Sequence, residues 1–308
     1  MKTDMGKVLL IANPAAQNGK GIDAAALAEV LLEEALGEEQ FSLALTTRPN
    51  HAADIAAQAE GFDTVVALGG DGVIHEVANG LMHHPANARP TLGIIPVGSG
   101  NDYAKALGMP KGVDAACQAL LTCAPRSVDV GKVNDSYFVE TLSFGLDAAI
   151  ALDTVDRRVR TGRKGAALYM ASGFDQLAHH FDVFSYEATF DGAEPIRSSS
   201  ITFAVQIGPF YGGGFNVCPN AKTDDGKFDI CISHPPVSVP HAAFIFLLAK
   251  SGKHTKAKPI EMLRADHVHV TFDAAPPAQM DGERIEGTSF DISLEQGALN
   301  VLAPTQKK

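Results

Sequence analysis

Short apolar runs that end in glycine-rich loops constrain this chain most. Val8–Ala12, Thr64–Leu68 and Leu92–Pro96 carry no charged residue. Such runs, instead of alternating polar and apolar, belong to strands buried on both faces, as in a parallel sheet covered by helices. Phe41–Thr47 alternates like a further strand. Between them lie segments with helical spacing and good helix formers: Ile22–Leu36, His51–Glu60, Val73–Met82, Asp102–Leu107 and Val113–Leu121. Asn79-Gly80, near the end of the third, reads as a C-cap. Strand–helix alternation implies βαβ units in an open, mostly parallel sheet.

The texture changes near Val128. Ser127–Val133 and Tyr137–Leu142 read as a hairpin around Asn134-Asp135. A helical stretch follows from Ala148 to about His180, interrupted at Thr161-Gly162. Phe184–Phe190, Ser199–Ile207, Phe228–Ser233, His267–Phe272, Phe290–Leu294 and Leu299–Ala303 read as strands between Gly, Pro and Asp clusters, with one apolar helix, Val239–Lys250, among them. That pattern predicts an antiparallel sandwich. The expected organisation is an α/β domain over residues 1–128 and a β-rich domain over 129–308, with the last few residues packing back on the first.

Charge and apolar content narrow the function classes. With 36 acidic and 25 basic residues the net charge is −11, which disfavours general nucleic-acid binding and a purely electrostatic membrane anchor. The longest apolar run, Ala242–Ala249, is far short of the ~20 residues that span a bilayer, and the N-terminus lacks a secretory pattern. Cys117, Cys123, Cys218 and Cys231 form no Cys-x-x-Cys pair and read as reduced, small core residues of a cytoplasmic protein. His267 with His269, and the pairs His83-His84 and His179-His180, have no acidic or cysteine company at metal spacing in the sequence.

Three loops carry chemistry. Asn13-Pro14-Ala15-Ala16-Gln17-Asn18-Gly19-Lys20-Gly21 joins strand to helix; helix N-terminal amides and the Lys20 cation suit phosphate, although an ordinary polar βα loop reads the same way. Gly69-Gly70-Asp71-Gly72-Val73-Ile74-His75-Glu76 and Pro96-Val97-Gly98-Ser99-Gly100-Asn101-Asp102 each follow a strand's carboxyl end, the edge at which open α/β sheets bind ligands. Asp71 and Asp102 together suit the hard cation of a Mg-nucleotide. Asp129, in Ser127-Val128-Asp129-Val130-Gly131, reads equally as a third metal carboxylate or as a solvated strand end.

Together with Tyr211-Gly212-Gly213-Gly214-Phe215, Asp224-Asp225-Gly226-Lys227-Phe228-Asp229 and Met280-Asp281-Gly282-Glu283, these loops resemble the diacylglycerol kinase catalytic family, which includes bacterial soluble lipid kinases and the related sphingosine and ceramide kinases. Motif order and spacing agree over nearly the whole chain. The resemblance implies a Rossmann-like, NAD-kinase-like first domain, and nucleotide contacts from Asn13, Thr47, Gly70, Asp71, Gly72, Val73, Ile74, His75, Glu76 and Ser99. It implies that Glu283 accepts the proton of the lipid hydroxyl, and that Asp225, with the carbonyls of Lys222 and Lys227, holds a structural Mg²⁺. Asp224-Asp225-Gly226 taken alone is a turn signal. Val73 stands where many diacylglycerol kinases carry Thr, and His75 where many bacterial members carry Asn; both look more like the sphingosine kinase branch.

The expectation is a kinase that uses Mg²⁺ and ATP to phosphorylate a membrane lipid, diacylglycerol first, with catalysis by Glu283, Asp71 and Asp102. The alternatives are a sphingosine- or ceramide-like acceptor, NAD, or a catalytically weak nucleotide-binding regulator. Expected partners are the lipid and the inner membrane face, contacted peripherally, and no nucleic acid, with a homodimer left open. Two basic clusters, Arg157-Arg158-x-Arg160 with Arg163-Lys164, and Lys250, Lys253, Lys256 and Lys258, suit anionic headgroups or are solvated faces.

Overall fold

The computed structural model describes residues 5–16, 19–163 and 165–304; Gln17, Asn18 and Lys164 of the motifs above lie outside them. The described residues form two compact units, one running to Asp129 and resuming at Gly297, the other spanning Val130–Gln296.

The first unit contains β1 (Val8–Ala12), α1 (Gly21–Leu36), β2 (Phe41–Leu45), α2 (His51–Ala57), β3 (Thr64–Gly69), α3 (Asp71–Met82), β4 (Thr91–Pro96), α4 (Asp102–Ala106) and α5 (Val113–Leu120). Its strands lie in the order β2-β1-β3-β4, all parallel. Every residue of β1 and β3 is buried, which explains their lack of alternation. Gly80 is not a cap: it lies inside α3, and a Cβ there would sit 2.3 Å from the Ala53 carbonyl oxygen, so the glycine lets α3 press against α2.

The second unit takes in β5 (Ala124–Val133) from Val130 on, then β6 (Ser136–Phe138), β7 (Thr141–Gly145), α6 (Leu146–Thr161), α7 (Ala166–His179), β8 (Phe184–Phe190), β9 (Ile196–Ser200), β10 (Thr202–Gln206), β11 (Phe210–Tyr211), β12 (Phe215–Asn216), β13 (Phe228–Ser233), α8 (Val239–Ala249), β14 (Ile260–Ala265), β15 (His267–Phe272), β16 (Ala278–Met280), β17 (Glu283–Ile285) and the first part of β18 (Ser289–Ala303). One antiparallel layer runs β14-β13-β10-β7-β16-β17; the other contains β18-β15-β8-β9. The core between the layers includes Phe144, Phe203, Tyr186, Phe272 and Phe290, with the Phe144 and Phe290 rings 4.7 Å apart. On β15, Val268, Val270 and Phe272 point in and His269 and Thr271 point out, the alternation of a half-buried strand. Residues of α6, α7 and α8 form a second cluster with the outer face of β10 and β13 (Ile150, Tyr169, Ala204, Cys231 and Ala249).

Four expected strands are differently drawn. Tyr137–Leu142 breaks into β6 and β7, because the amides of Val139, Glu140 and Thr141 are taken by the Asp281 carboxylate. Ser199–Ile207 is divided at Ile201 between β9, in one layer, and β10, in the other. Phe290–Leu294 and Leu299–Ala303 are one strand, β18. The four cysteines are free; burial pushes the Cys117 thiol up to about 11 and the Cys231 thiol up to about 12, so neither is a nucleophile near neutral pH.

Candidate functional site

In the first unit the parallel register sets the site. Ala12 is level with Leu45 and Leu68, Leu68 with Ile95, and Gly69 with Pro96. Asn13, Thr47, Gly70 and Ser99 therefore leave the sheet at one edge, its carboxyl end. The Asn13 side chain accepts the Ala15 amide at 2.9 Å, closing an Asx turn. Thr47 is exposed, with its amide and hydroxyl 3.1 and 3.2 Å from the His51 imidazole. Ser99 and Lys20 are exposed.

The two glycine loops touch. A Cβ on Gly98 would fall 2.3 Å from the Gly70 Cα and 2.6 Å from the Asn101 side-chain oxygen. Only a hydrogen fits there. Gly98→Ala is therefore expected to cost about 1–3 kcal/mol by forcing the loops apart. Its melting temperature should fall, and ATP affinity with it, in a thermal shift and titration series. Asn101 organises this junction: its side chain pairs with both the Gly98 amide (2.7 Å) and carbonyl (3.0 Å), and its own amide donates to Asp71 at 2.9 Å. The sequence reading quoted Asn101 but gave it no role; its signal is the left-handed backbone, φ 57°, which Asn tolerates.

Burial pushes the Asp71 carboxyl up to about 7, and the neighbouring Asp102 carboxylate adds to the shift; the Tyr103, Asn101 and Asp102 amides oppose it. The folded value lies above the ordinary one of 3.8, so the folded state holds a proton that the unfolded state has lost between those limits. This contribution to stability is full at low pH and is lost as pH rises through about 7. Asp71→Asn is thus expected to flatten the fall in stability between pH 5 and pH 8, by an amount on the order of a few kcal/mol. Urea unfolding at the two pH values measures it. Two adjacent carboxylates, one of them harder to ionise because of its surroundings, also form a donor set that a divalent cation would ionise.

The remaining nucleotide candidates divide. Gly72 is exposed and open. Ile74 is fully buried, and Val73 and His75 nearly so. These three side chains belong to the core, which leaves them only main-chain amides with which to meet a ligand. Glu76 accepts the Ala52 amide at 3.0 Å and so caps α2. Asp129 is buried and accepts the Gly297 amide at 2.9 Å. Burial rules out the solvated strand end read from sequence, and one carboxylate oxygen holds the turn at Gly297.

In the second unit, β16 and β17 form a hairpin with Met280 opposite Glu283 and a two-residue loop, Asp281-Gly282, at φ 49° and 93°. Both positive values suit the tight turn that matches strand twist. The buried Asp281 carboxylate accepts the Val139 amide on one oxygen (2.8 Å) and those of Glu140 and Thr141 on the other (3.0 and 2.8 Å). Gln279 accepts the Gly282 amide at 2.7 Å. Glu283 is exposed at the end of this clamped turn, and no hydrogen bond reaches its carboxylate among the described residues.

Of the expected metal loop, Lys222 is exposed, and the Lys227 ammonium pairs with Asp191 and Asp266 at 3.0 and 2.7 Å. One Asp225 oxygen meets Arg264 at 2.5 Å; the other is buried and has no hydrogen-bond partner among the described residues. That orphaned oxygen fits an oxygen-ligated cation. On β15, His267 and His269 do have acidic company: Asp291 of the paired strand is 3.0 and 3.6 Å away. Among the described residues no group of three or more His, Cys, Asp and Glu side chains converges as a metal site would.

The second unit also holds a mostly apolar cavity of about 90 Å³, open to solvent, between α6, α7, α8 and the outer sheet face. Ile150, Tyr169, Phe215, Ile245 and Phe246 are among its walls, and Asp147 is its acidic group. Burial pushes Asp147 up to about 6, against the Tyr211 and Ser143 hydroxyls, which favour the charged form. Tyr211 donates to one oxygen at 2.8 Å; the other is buried. Sequence reasoning missed Asp147 because its partner Tyr211 is 64 residues away.

A parallel α/β unit with paired glycine loops at its carboxyl edge, joined to an antiparallel sandwich, defines an NAD-kinase-like architecture. The chain belongs to the diacylglycerol kinase catalytic family. Residues 7–133 match the diacylglycerol kinase catalytic domain, and residues 140–303 match the YegS C-terminal NAD kinase beta sandwich-like domain. The chain is 32% identical over 283 residues to a diacylglycerol kinase of Bacillus subtilis, covering 91% of this chain and 90% of that one. It is 32% identical over 252 residues to a probable lipid kinase YegS-like of Chromohalobacter salexigens, covering 80% and 78%. A diacylglycerol kinase structure from Bacillus anthracis superposes with a TM-score of 0.75 at 24% identity, over 98% of each chain. An NAD kinase from Archaeoglobus fulgidus, solved with ATP, superposes with a TM-score of 0.53 at 12% identity over 96% of this chain and 93% of that one; both likenesses speak for the fold.

Proposed function

We propose that this kinase-family chain transfers the γ-phosphate of Mg-ATP to the hydroxyl of a membrane lipid, diacylglycerol first, giving phosphatidic acid. The observation that carries the lipid acceptor is the apolar cavity in the unit that presents Glu283. A soluble dinucleotide acceptor needs polar walls, whereas an acyl chain needs what Ile150, Phe215, Ile245 and Phe246 provide. The Asp147 carboxylate, the acidic group of that cavity, supplies an acceptor for a hydrogen-bond donor of a lipid headgroup.

Transfer of this kind rests on positioning and charge neutralisation. The α3 N-terminal amides, the loop at Gly98–Ser99 and the exposed Lys20 cation bind and orient the phosphates. Asp71 and Asp102 would hold Mg²⁺, which when bound neutralises phosphate charge; the Asp225 loop would hold a second, structural ion. Glu283 takes the proton of the acceptor hydroxyl as its oxygen bonds to phosphorus and the bond from phosphorus to the leaving ADP oxygen breaks.

The test is label transfer from γ-labelled ATP, with Mg²⁺, to mixed micelles carrying diacylglycerol, monoacylglycerol, sphingosine, ceramide or undecaprenol, and to NAD in solution. Label in diacylglycerol is expected. Label in another lipid would keep the reaction and change the acceptor. Label in NAD alone, or ATP binding with no transfer to anything, would overturn the proposal.

A further inference from the structure

α8 carries no charged residue along Val239–Ala249. Its inner side is accounted for: Ile245 and Ala249 are buried, and Phe246 stacks on Phe215 with centroids 5.0 Å apart. Its outer side is not covered. Phe244 is 58% exposed and Leu247 47%, and Phe174 of α7, edge-on to Phe246, is 46% exposed. A helix that faces water on one side normally shows polar residues there, and clustered exposed apolar side chains mark an interaction surface.

Charge identifies the partner. Phe244, Leu247 and Lys250 recur every three residues, so Lys250 extends the same ridge. Lys253, Lys256 and Lys258 follow, and residues 234–260 contain no Asp or Glu in a chain of net charge −11. These four lysines are exposed, and no carboxylate pairs with any of them among the described residues. Lysines are depleted from the cores of protein–protein interfaces, whereas beside exposed aromatic and aliphatic residues they are the pattern of a helix lying in a bilayer surface.

We infer that the outer ridge of α8 docks on an anionic lipid bilayer, Phe244 and Leu247 entering the headgroup–acyl boundary and Lys250, Lys253 and Lys256 meeting lipid phosphates. The inference deepens the lipid-kinase reading: Ala242, Ile245 and Phe246 of the same helix line the cavity, so docking would place that cavity's wall at the source of its ligand.

Binding is measured without ATP or acceptor, by co-sedimentation of the full chain with phosphatidylcholine vesicles that lack or contain phosphatidylglycerol, at low and high salt. The chain should bind the phosphatidylglycerol vesicles, less at high salt. Phe244→Ser with Leu247→Ser should weaken that binding on the order of tenfold or more, and Lys250→Glu with Lys253→Glu and Lys256→Glu should abolish the preference for phosphatidylglycerol. The lysine set changes only exposed charges and keeps the test decisive should the apolar pair impair folding. Phosphotransfer to a short-chain, monomeric diacylglycerol should be unchanged in both. Vesicle binding that neither set alters would overturn the inference, as would a dimer in sedimentation velocity that the apolar pair splits without vesicle binding. Vesicle binding with no phosphotransfer would instead overturn the kinase reading and leave the docking surface standing.

Discussion

Glu283→Gln is expected to lower kcat for lipid phosphorylation by about 10²–10⁴, the usual contribution of a positioned general base, with ATP affinity and melting temperature unchanged. The separation follows from the surroundings. Glu283 is exposed and no hydrogen bond reaches it among the described residues, so an isosteric amide removes the proton acceptor without leaving a buried group unpaired. A steady-state series on wild type and variant, with ATP titrated separately, checks this. A drop of less than about threefold would place the base elsewhere.

Asp281→Ala should strongly destabilise the sandwich. One carboxylate answers three amides, Val139, Glu140 and Thr141, at the break between β6 and β7. Alanine leaves those donors buried, and it must also adopt φ 49°, which suits Asp or Asn better. The expected cost is about 3–5 kcal/mol, a fall of roughly 10 °C for a chain of this size. Asp281→Asn keeps one oxygen and the turn, and should lose less. Because Glu283 is two residues on, catalytic activity should fall with Asp281→Ala even at temperatures where the fold persists. Urea unfolding and kcat on the same samples test both effects; a melting point within about 2 °C of wild type would contradict the clamp.

The first unit was the more legible in sequence. A strand buried on both faces announces itself by lacking alternation, and glycines at its end mark where a loop must pass close, as Gly70 and Gly98 do. The sandwich was less so, because which strands pair depends on contacts distant in sequence. Tyr137–Leu142 reads as one strand until Asp281, some 140 residues later, takes three of its amides. Ser199–Ile207 reads as one strand because Ile201, Phe203, Val205 and Ile207 recur on alternate positions, yet Ile201 is where the chain changes layers. At the site, the glycine loops name Asp71 and Asp102 and the family resemblance names Glu283, but neither separates side chains that face a ligand from those that face the core, as Ile74 does, or that cap a helix, as Glu76 does. The acid of the cavity, Asp147, has no local signature at all, since tertiary packing alone brings it to Tyr211.

The central claim is phosphorylation of a lipid hydroxyl, and the product tests it most directly. The purified chain would be incubated with Mg-ATP and diacylglycerol in mixed micelles, and the extracted lipid examined by phosphorus NMR beside the nucleotide pool. The account predicts a phosphomonoester on the lipid, formed one for one with ADP. ADP accompanied only by inorganic phosphate, with the lipid unchanged, would contradict it.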